Sequence, residues 1–145
     1  MTAETLRIIT GVKAAGPQAL EIAWSNGATA VVDFTETLRT APYKSLRIAE
    51  VFAKAEVGEW GHSLVWPAEV EIGADSLWLD SLSVWGRDDT RAFLEWRLRN
   101  GLSLTGAAEA LGLSRRQIAY YSSGEKTVPK PILLACRGWE ALQAA

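Results

Sequence analysis

The sequence has few of the residue types from which metal and nucleophile sites are built. Its 145 residues include one cysteine, Cys136, and one histidine, His62. One cysteine cannot form an internal disulfide, and one His with one Cys cannot build a typical zinc site. A Cys–His couple would need these residues to meet across the two halves of the chain. We expect no metal site and no cofactor, and we expect Cys136 to pack as a small apolar side chain.

Long hydrophobic runs are also missing. No run of about 18 apolar residues occurs, and the N-terminus lacks a basic segment followed by an apolar one. We therefore expect neither a membrane span nor a signal peptide, and a cytoplasmic protein with no membrane partner. Hydrophobic residues make up 48% of the chain, which is enough for a real core and excludes disorder.

No Gly-rich phosphate loop and no nucleophile elbow is present. A carboxylate–His site is imaginable because acidic residues follow His62, namely Glu69, Glu71, Asp75 and Asp80. However, Glu69 and Glu71 alternate with Val70 as on a solvated strand edge, and Asp75 fits a helix N-cap. We expect no catalytic residues and no enzyme. Five tryptophans favour a core or an interface over a ligand box: Trp24, Trp60, Trp66, Trp78 and Trp85.

The net charge of −2 conceals an asymmetry between the two parts of the chain. Residues 1–86 hold six Lys/Arg and eleven Asp/Glu, a net of −5, whereas residues 87–145 hold nine and six, a net of +3. The C-terminal part alone therefore has an electrostatic preference for nucleic acid.

The stretch from Leu102 to Gly124 predicts two short helices. Ser103 is an N-cap residue type, and Gly112 stops the first helix after an apolar stripe of Leu104, Ala107, Ala108 and Leu111. Ser114 opens the second helix, and Gln117 completes a capping-box pair. At about 100° per residue, Ser114, Ile118 and Tyr121 share one face of this helix. The opposite face carries Arg116, Ala119, Tyr120 and Ser123, with Arg115 at its flank.

This stretch resembles the helix-turn-helix of phage-repressor (lambda Cro/C1-like) DNA-binding domains. Ala108 matches the small residue at the helix crossing, Gly112 the glycine of the turn, and Ile118 the aliphatic residue of the recognition helix. One departure is Leu104, which stands where the family often has a phosphate-holding Gln. The alternatives are a plain helical hairpin and a helix-turn-helix used for protein contact.

Residues 1–86 read as a small α+β domain with two β-hairpins and short helices. Asn26-Gly27 is a hairpin turn because it tolerates positive φ. The predicted strands are Leu6–Val12, Ala19–Trp24 and Thr29–Phe34, then a second hairpin of Lys54–Val57 and Ser63–Trp66 across Gly58–His62. The predicted helical segments are a turn at Thr35–Arg39, a short helix at Leu46–Phe52, and one from about Asp75 that carries Leu77, Trp78 and Leu82.

Residues 6 to 80 resemble the DUF2442 family of small domains. The resemblance depends on the hairpin ALEIAWSNGATAVVDF and on Trp66-Pro67 followed by Glu71-Ile72-Gly73-Ala74-Asp75-Ser76-Leu77. The family implies a fold and no activity. Its members occur alone, beside small toxin-like proteins, or fused to a helix-turn-helix.

Residues 87–145 read as an all-α domain after a boundary at Ser83–Asp88. Asp88 or Asp89 is expected to cap a helix over Thr90–Asn100 that Gly101 closes. Phe93 and Trp96 would pack on the helix-turn-helix. A loop over Glu125–Pro131 carries Lys126 and Lys130 as candidate phosphate contacts, with solvated lysines as the alternative. A last helix over Ile132–Leu142 would present its apolar side chains, Ile132, Leu133, Cys136, Trp139 and Leu142, to the core.

Together these patterns predict a sequence-specific DNA-binding transcriptional regulator that acts on double-stranded DNA as a homodimer. The alternative is a protein-interaction module, such as an antitoxin-like partner of a small toxin, which would bind its partner through the N-terminal domain. The candidate DNA-binding residues are Ser103, Ser114, Arg115, Arg116, Gln117, Ala119, Tyr120, Ser123 and Lys126.

Overall fold

The computed structural model describes residues 7–145, which divide into two compact units, residues 7–85 and 86–145. The elements of the first unit are β1 (Ile9–Gly16), β2 (Ala19–Trp24), β3 (Thr29–Asp33), α1 (Ala49–Phe52), β4 (Glu56–Val57), β5 (Ser63–Trp66), β6 (Val70–Gly73) and α2 (Ala74–Val84). Those of the second unit are α3 (Asp88–Arg99), α4 (Leu104–Leu111), α5 (Arg115–Ser123) and α6 (Lys130–Ala144). The predicted α+β class is confirmed.

The first sheet is an antiparallel meander in the order β1-β2-β3. The turn between β2 and β3 forms as predicted, because Gly27 adopts φ 88° and the Asn26 side chain accepts a hydrogen bond from Ala28 N–H at 2.9 Å. The Asn-Gly pair therefore fixes the register of this hairpin.

The predicted bounds of the first strand, Leu6–Val12, are wrong. Leu6 lies outside the described residues, and β1 continues to Gly16, where it pairs with Ala19 across a tight turn. The final residues of β1 are exposed on a sheet edge, so they carry no alternating apolar pattern. Their partner strand β2 holds them extended, and β1–β2 forms a hairpin that the sequence pattern did not reveal.

The second sheet is antiparallel in the order β4-β5-β6. The predicted second hairpin is confirmed, although β4 is only Glu56–Val57. β6 is the edge strand that the alternation around Val70 predicted. Its Glu71 accepts a hydrogen bond from Ser63 Oγ at 2.6 Å, so this carboxylate supports the sheet.

Two helix predictions in the first unit need correction. The segment that begins at Leu46 is irregular at first: a 3-10 stretch over Ala41–Arg47 precedes α1. Arg47 donates to the Leu38 carbonyl at 2.7 Å, which holds this stretch against the 3-10 turn at Thr37–Arg39, inside the predicted helical turn. The α-helix α1 therefore begins only at Ala49, after the residue that makes this hydrogen bond.

Asp75 is not the N-cap of α2. The cap is Gly73, and Asp75 lies in the first turn with its carboxylate 3.7 Å from the Arg7 guanidinium. Ala74 N–H donates to the His62 carbonyl at 2.8 Å, so the backbone next to the second sheet sets where α2 starts.

Aromatic side chains dominate the core of the first unit. Trp24 and Trp78 pack edge to face with ring centroids 5.0 Å apart, and Phe52 stacks on Trp66 at 6.2 Å. Trp24, Trp66 and Trp78 are buried, as expected for core residues. Trp60 differs, because 77% of it is exposed.

The second unit packs its four helices around one apolar cluster. Its buried members are Phe93, Trp96, Leu104, Ala107, Ala108, Ile118, Tyr121, Val128 and Cys136. Within residues 7–145, no helix is long and apolar enough to cross a bilayer.

The caps predicted for α3 are partly wrong. The helix begins at Asp88 with Arg87 as its N-cap, so neither Asp88 nor Asp89 takes that position. Asp89 instead accepts a hydrogen bond from Val128 N–H at 2.8 Å. Gly101 closes the helix at φ 62°, as predicted.

The last helix starts two residues earlier than predicted. α6 begins at Lys130, so Lys130 is helical and the preceding loop ends at Pro129. Pro131 is favourable there because the first turn needs no backbone donor. Leu142 is 75% exposed and is not a core residue, because α6 continues about one turn past Trp139, which packs against the cluster.

Candidate functional site

The two helices predicted in the stretch from Leu102 to Gly124 are present as α4 and α5. Ser103 Oγ accepts from Gly106 N–H at 2.9 Å, and Ser114 Oγ accepts from Gln117 N–H at 3.1 Å. Gly112 ends α4 at φ 69°, a left-handed conformation that glycine adopts without steric cost. With these caps, only residues 112–114 separate the end of α4 from the start of α5.

Ser114 and Gln117 form only half of a capping box. Within residues 7–145 the Gln117 side chain makes no hydrogen bond to Ser114 N–H, so the serine alone caps α5. Gln117 itself is half-buried.

The buried face of α5 contains Ile118, which is 0% exposed, and Tyr121, which is 6% exposed. The ring of Tyr121 meets Phe93 edge to face at 5.6 Å, which joins α5 to α3. Ala119, predicted for the outer face, is half-buried and packs against the core cluster, so the outer face is narrower than the sequence indicated.

Arg115 and Arg116 lie exposed in the first turn of α5. In the described part of the chain neither guanidinium has a hydrogen bond or an ion pair. Other arginines of this unit do have partners: Arg87 contacts Asp89 at 3.3 Å, and Arg99 contacts Glu140 at 2.8 Å. The outer face of α5 therefore begins with two adjacent cations that have no ion-pair partner among residues 7–145.

Three more predicted site residues meet at the other end of α5. Lys126 Nζ lies 4.6 Å from the centre of the Tyr120 ring, a cation–π contact. The Ser123 hydroxyl donates to the Tyr120 carbonyl at 3.3 Å and accepts from Glu125 N–H at 3.2 Å. The structure thus places Lys126, Tyr120 and Ser123 together at the C-terminal end of α5, whereas Arg115 lies in its first turn.

The loop that carries Lys126 is held by two residues at the start of α3, which no sequence pattern marks. Arg87 Nη1 donates to the Gly124 carbonyl at 2.9 Å, and Asp89 receives Val128 N–H at the other end of the loop. Partial burial opposes ionisation of Asp89, but its hydrogen bonds from Val128 and Arg87 hold its pKa below the ordinary value. No periodicity marks such contacts, because they join residues almost 40 positions apart.

Arg97 was also missed by sequence analysis. Only 4% exposed, it donates to Ser122 Oγ at 2.9 Å and to the Leu102 carbonyl at 3.1 Å. One buried guanidinium therefore links α3, the approach to α4, and α5. A charged residue on a helix is usually read as surface, so only its place in a buried stripe with Phe93 could have indicated this role.

Between α3 and α6 lies a second polar cluster. Arg99 donates to both carboxylate oxygens of Glu140 at 2.8 and 2.9 Å, and Asn100 donates to one of them at 2.8 Å. The bonds from Arg99, followed by that from Asn100, lower the pKa of Glu140 to about 2. On the neighbouring turn, burial raises the pKa of the Cys136 thiol to about 12, so this cysteine behaves as the small apolar residue we expected.

The remaining candidates are dispersed. Ser103 is exposed at the N-cap of α4. The adjacent Leu104 is only 5% exposed and packs in the core, so the Leu104 side chain cannot contact a phosphate. His62 is exposed on the loop before β5. Among residues 7–145 no group of three or more His, Cys, Asp or Glu side chains is arranged to hold a metal ion.

Residues 9–81 match the family described as protein of unknown function, DUF2442. The match includes both sheets, α1 and most of α2, which is half of the chain. The chain belongs to the DUF2442 family. The α4–α5 pair lies outside the DUF2442 match, so the family by itself says nothing about the surface of α5.

One solved structure extends the comparison beyond the DUF2442 span. It is the crystal structure of a protein from Nitrosomonas europaea named as a putative DNA binding protein. It is 38% identical to this DUF2442 chain, with a TM-score of 0.70 over 92% of this chain and 86% of the other. No curated protein matches the chain.

Proposed function

We propose that residues 87–145 bind double-stranded DNA through a Cro/C1-type helix-turn-helix formed by α4 and α5. The observation that carries the proposal is the pair Arg115 and Arg116, which are adjacent, exposed and without partners in the described chain. Cations with no internal partner on the first turn of a short, well-capped helix suit a helix that enters the major groove N-terminus first.

The surroundings of these arginines favour an anionic partner. The C-terminal part carries a net charge of +3 while the N-terminal part carries −5. The similar Nitrosomonas europaea protein is named as a putative DNA binding protein, and its similarity covers 92% of this chain, which is more than the DUF2442 part alone. The modest charge predicts weak nonspecific affinity, so specific contacts must supply most of the discrimination.

Each candidate residue has a role in this proposal. Arg115 and Arg116 meet base edges or flanking phosphates, and Tyr120 stacks or touches a thymine methyl. Lys126, held over the Tyr120 ring, and the hydroxyls at the helix starts, Ser103 and Ser114, contact phosphates. Gln117, Ala119 and Ser123 flank this surface and contribute mainly to its shape.

We further propose that the protein acts in the cytoplasm as a homodimeric transcriptional regulator without catalysing a reaction. One recognition helix covers one half-site, and related regulators gain affinity by binding two half-sites about 34 Å apart. The DUF2442 unit would then sense, dimerise or recruit.

The test is the salt dependence of DNA binding. Binding of the full chain to a pool of random duplexes is measured between about 50 and 200 mM salt, where each phosphate contact contributes about 0.9 to the slope of log K against log salt. We expect measurable binding at low salt and a smaller slope for Arg115→Ala/Arg116→Ala. Binding that is absent at low salt, or indifferent to salt, contradicts the proposal.

A second candidate function is binding of a protein partner by the DUF2442 unit. Trp60 favours it, because this tryptophan is 77% exposed on the loop before β5 and has a φ of 61°. Tryptophan is enriched at the centres of protein interfaces. If an antitoxin-like role is correct, the product of a neighbouring small gene should co-purify with the wild-type chain and be lost with Trp60→Ala. Co-purification that survives Trp60→Ala removes the reason for this candidate.

A further inference from the structure

α6 has an outward face that carries no charge and is exposed among residues 7–145. The face consists of Leu134, Ala135, Gly138, Ala141 and Leu142, all of which are exposed. The two leucines are the largest members, with exposures of 55% and 75%. Exposed leucines that line one side of a helix mark a contact surface more often than isolated exposed leucines do.

The five residues form a continuous stripe. At 100° per residue they span about 120° of the helix circumference and run over more than two turns. The core-facing side of the same helix is defined by Cys136, which is 3% exposed. α6 is therefore apolar on two sides, and the core of the second unit uses only one of them.

The order of residues on the outer face is symmetric about Gly138. Leu134 and Leu142 lie four positions before and after it, and Ala135 and Ala141 lie three positions before and after it. An antiparallel copy of the same helix, with the two-fold axis at Gly138, would place leucine opposite leucine and alanine opposite alanine. Such self-complementarity is what an isologous two-fold interface requires.

We propose that the outer face of α6 is a dimerisation surface and that its partner is α6 of a second copy of this chain. Gly138 lies where the two helices come closest, and a Cβ at this position would meet nothing within 4 Å among the residues that the structure describes. The small side chains at Gly138, Ala135 and Ala141 permit close backbone approach, while the leucines fill the space on either side.

Charge complementarity supports the antiparallel arrangement. It brings the positive N-terminal end of one α6, with Lys130 in its first turn, next to the negative C-terminal end of the other. The only charged residues of α6, Lys130, Arg137 and Glu140, lie outside the stripe, so no charge is buried by pairing.

The size of the surface sets the expected affinity. α6 has 15 residues and is about 22 Å long, so its outer face alone buries less than the roughly 800 Å² per partner of a standard interface. We therefore expect a weak dimer. The pairing supplies the dimer of the proposed function, but it forms without DNA. Experiments in the absence of DNA therefore test it separately.

The first experiment is disulfide trapping of the full chain with Gly138→Cys. The structure leaves room for this side chain, and the native Cys136 is buried and does not compete. Under mild oxidation we expect a covalent dimer from Gly138→Cys and little from Gln143→Cys, which is exposed on α6 but off the outer face. Equal cross-linking of the two variants, or none with Gly138→Cys, overturns the proposal.

The second experiment is sedimentation equilibrium across the micromolar range. Leu142→Glu is expected to raise the dimer dissociation constant at least about tenfold, because it places two charges in a paired apolar surface. Gln143→Glu adds the same charge one residue away and is expected to leave the constant unchanged. A dimer unaffected by Leu142→Glu shows that another surface, such as that around Trp60, makes the contact, and a wild-type monomer at 100 micromolar or so excludes the α6 pairing.

Discussion

The guanidinium of Arg97 donates from Nη1 to the hydroxyl of Ser122 at 2.9 Å, and both side chains are buried. Ser122 follows Tyr121 on the inner side of α5. The Arg97–Ser122 hydrogen bond and the Tyr121–Phe93 ring contact therefore both attach α5 to α3. The rotation of α5 about its own axis, and with it the outward direction of Arg115 and Arg116, depends on this inner side. A stability contact therefore also orients the proposed DNA-binding face.

Replacing Ser122 with Ala should lower the free energy of unfolding by about 1–3 kcal/mol, because it deprives a buried guanidinium of one acceptor. Ser123→Ala is the matched control. Its hydroxyl is exposed and makes only local contacts, so a loss within about 0.5 kcal/mol is expected. Urea denaturation of both variants gives the comparison. Equal losses would mean that the Arg97–Ser122 bond adds nothing beyond a local contact.

The Glu140 cluster predicts a specific dependence of stability on pH. Its pKa falls from an ordinary 4.5 to about 2 in the folded protein, because Arg99 and Asn100 bond to the ionised form. The stabilisation is therefore fully present above pH 4.5 and is lost as the pH falls toward 2. Melting temperatures of wild type and Glu140→Gln, compared from pH 7 to pH 2, should differ most above 4.5 and converge in acid. A difference that stays constant over that range would show that the carboxylate is not responsible.

Two glycines of the helical unit should respond oppositely to alanine. Gly112 has a φ of 69°, where a Cβ is strained, so Gly112→Ala should destabilise the fold by about 1 kcal/mol or more. Gly138 lies inside α6 with open space around a new Cβ, so Gly138→Ala should stabilise the fold by about 0.5–1 kcal/mol. Chemical denaturation at low protein concentration avoids any contribution from dimers. The explanation fails if both substitutions shift stability in the same direction.

The last prediction concerns the reading of bases. If Arg116 forms a bidentate contact with guanine, Arg116→Ala should lower discrimination by about 1–3 kcal/mol and relax the preference for one guanine. Gln117→Ala is the control: Gln117 is half-buried and flanks the surface, so its loss should leave the selected motif unchanged. Selection from a random duplex library measures both effects. An unchanged motif of unchanged strength from Arg115→Ala/Arg116→Ala would show that the reading face is elsewhere.

Local patterns predicted most of the helical unit. The sequence predicted the caps of α4 and α5, Ser103 and Ser114, and the turn at Gly112. It also predicted the buried positions Ile118 and Tyr121. These predictions succeed because capping and 3.6-residue periodicity act within one or two turns. The Asn26-Gly27 hairpin could be predicted because its turn also depends on neighbouring residues alone. The second half of β1 could not be predicted, because the conformation of an exposed edge strand depends on pairing with its neighbouring strand.

The starts of α2 and α3 were misplaced for a related reason. Asp75, Asp88 and Asp89 are good capping residues, but their helices begin where contacts from other parts of the chain leave the backbone free to turn. Asp89 receives the Val128 N–H instead of capping α3, and the His62 carbonyl receives the N–H of Ala74 at the start of α2.

The sequence by itself determined the two-part charge distribution, the α+β class, and the buried positions Ile118 and Tyr121 of α5, since each depends on composition or on residues within one turn. Only the tertiary structure decided which arginines remain available to a partner. Arg87, Arg97 and Arg99 find acceptors tens of residues away, whereas Arg115 and Arg116 find none in the described chain. All five arginines lie on helices or helix caps of one unit. They differ in how close a carbonyl, hydroxyl or carboxylate lies to the guanidinium, and the packing of the helices sets that distance.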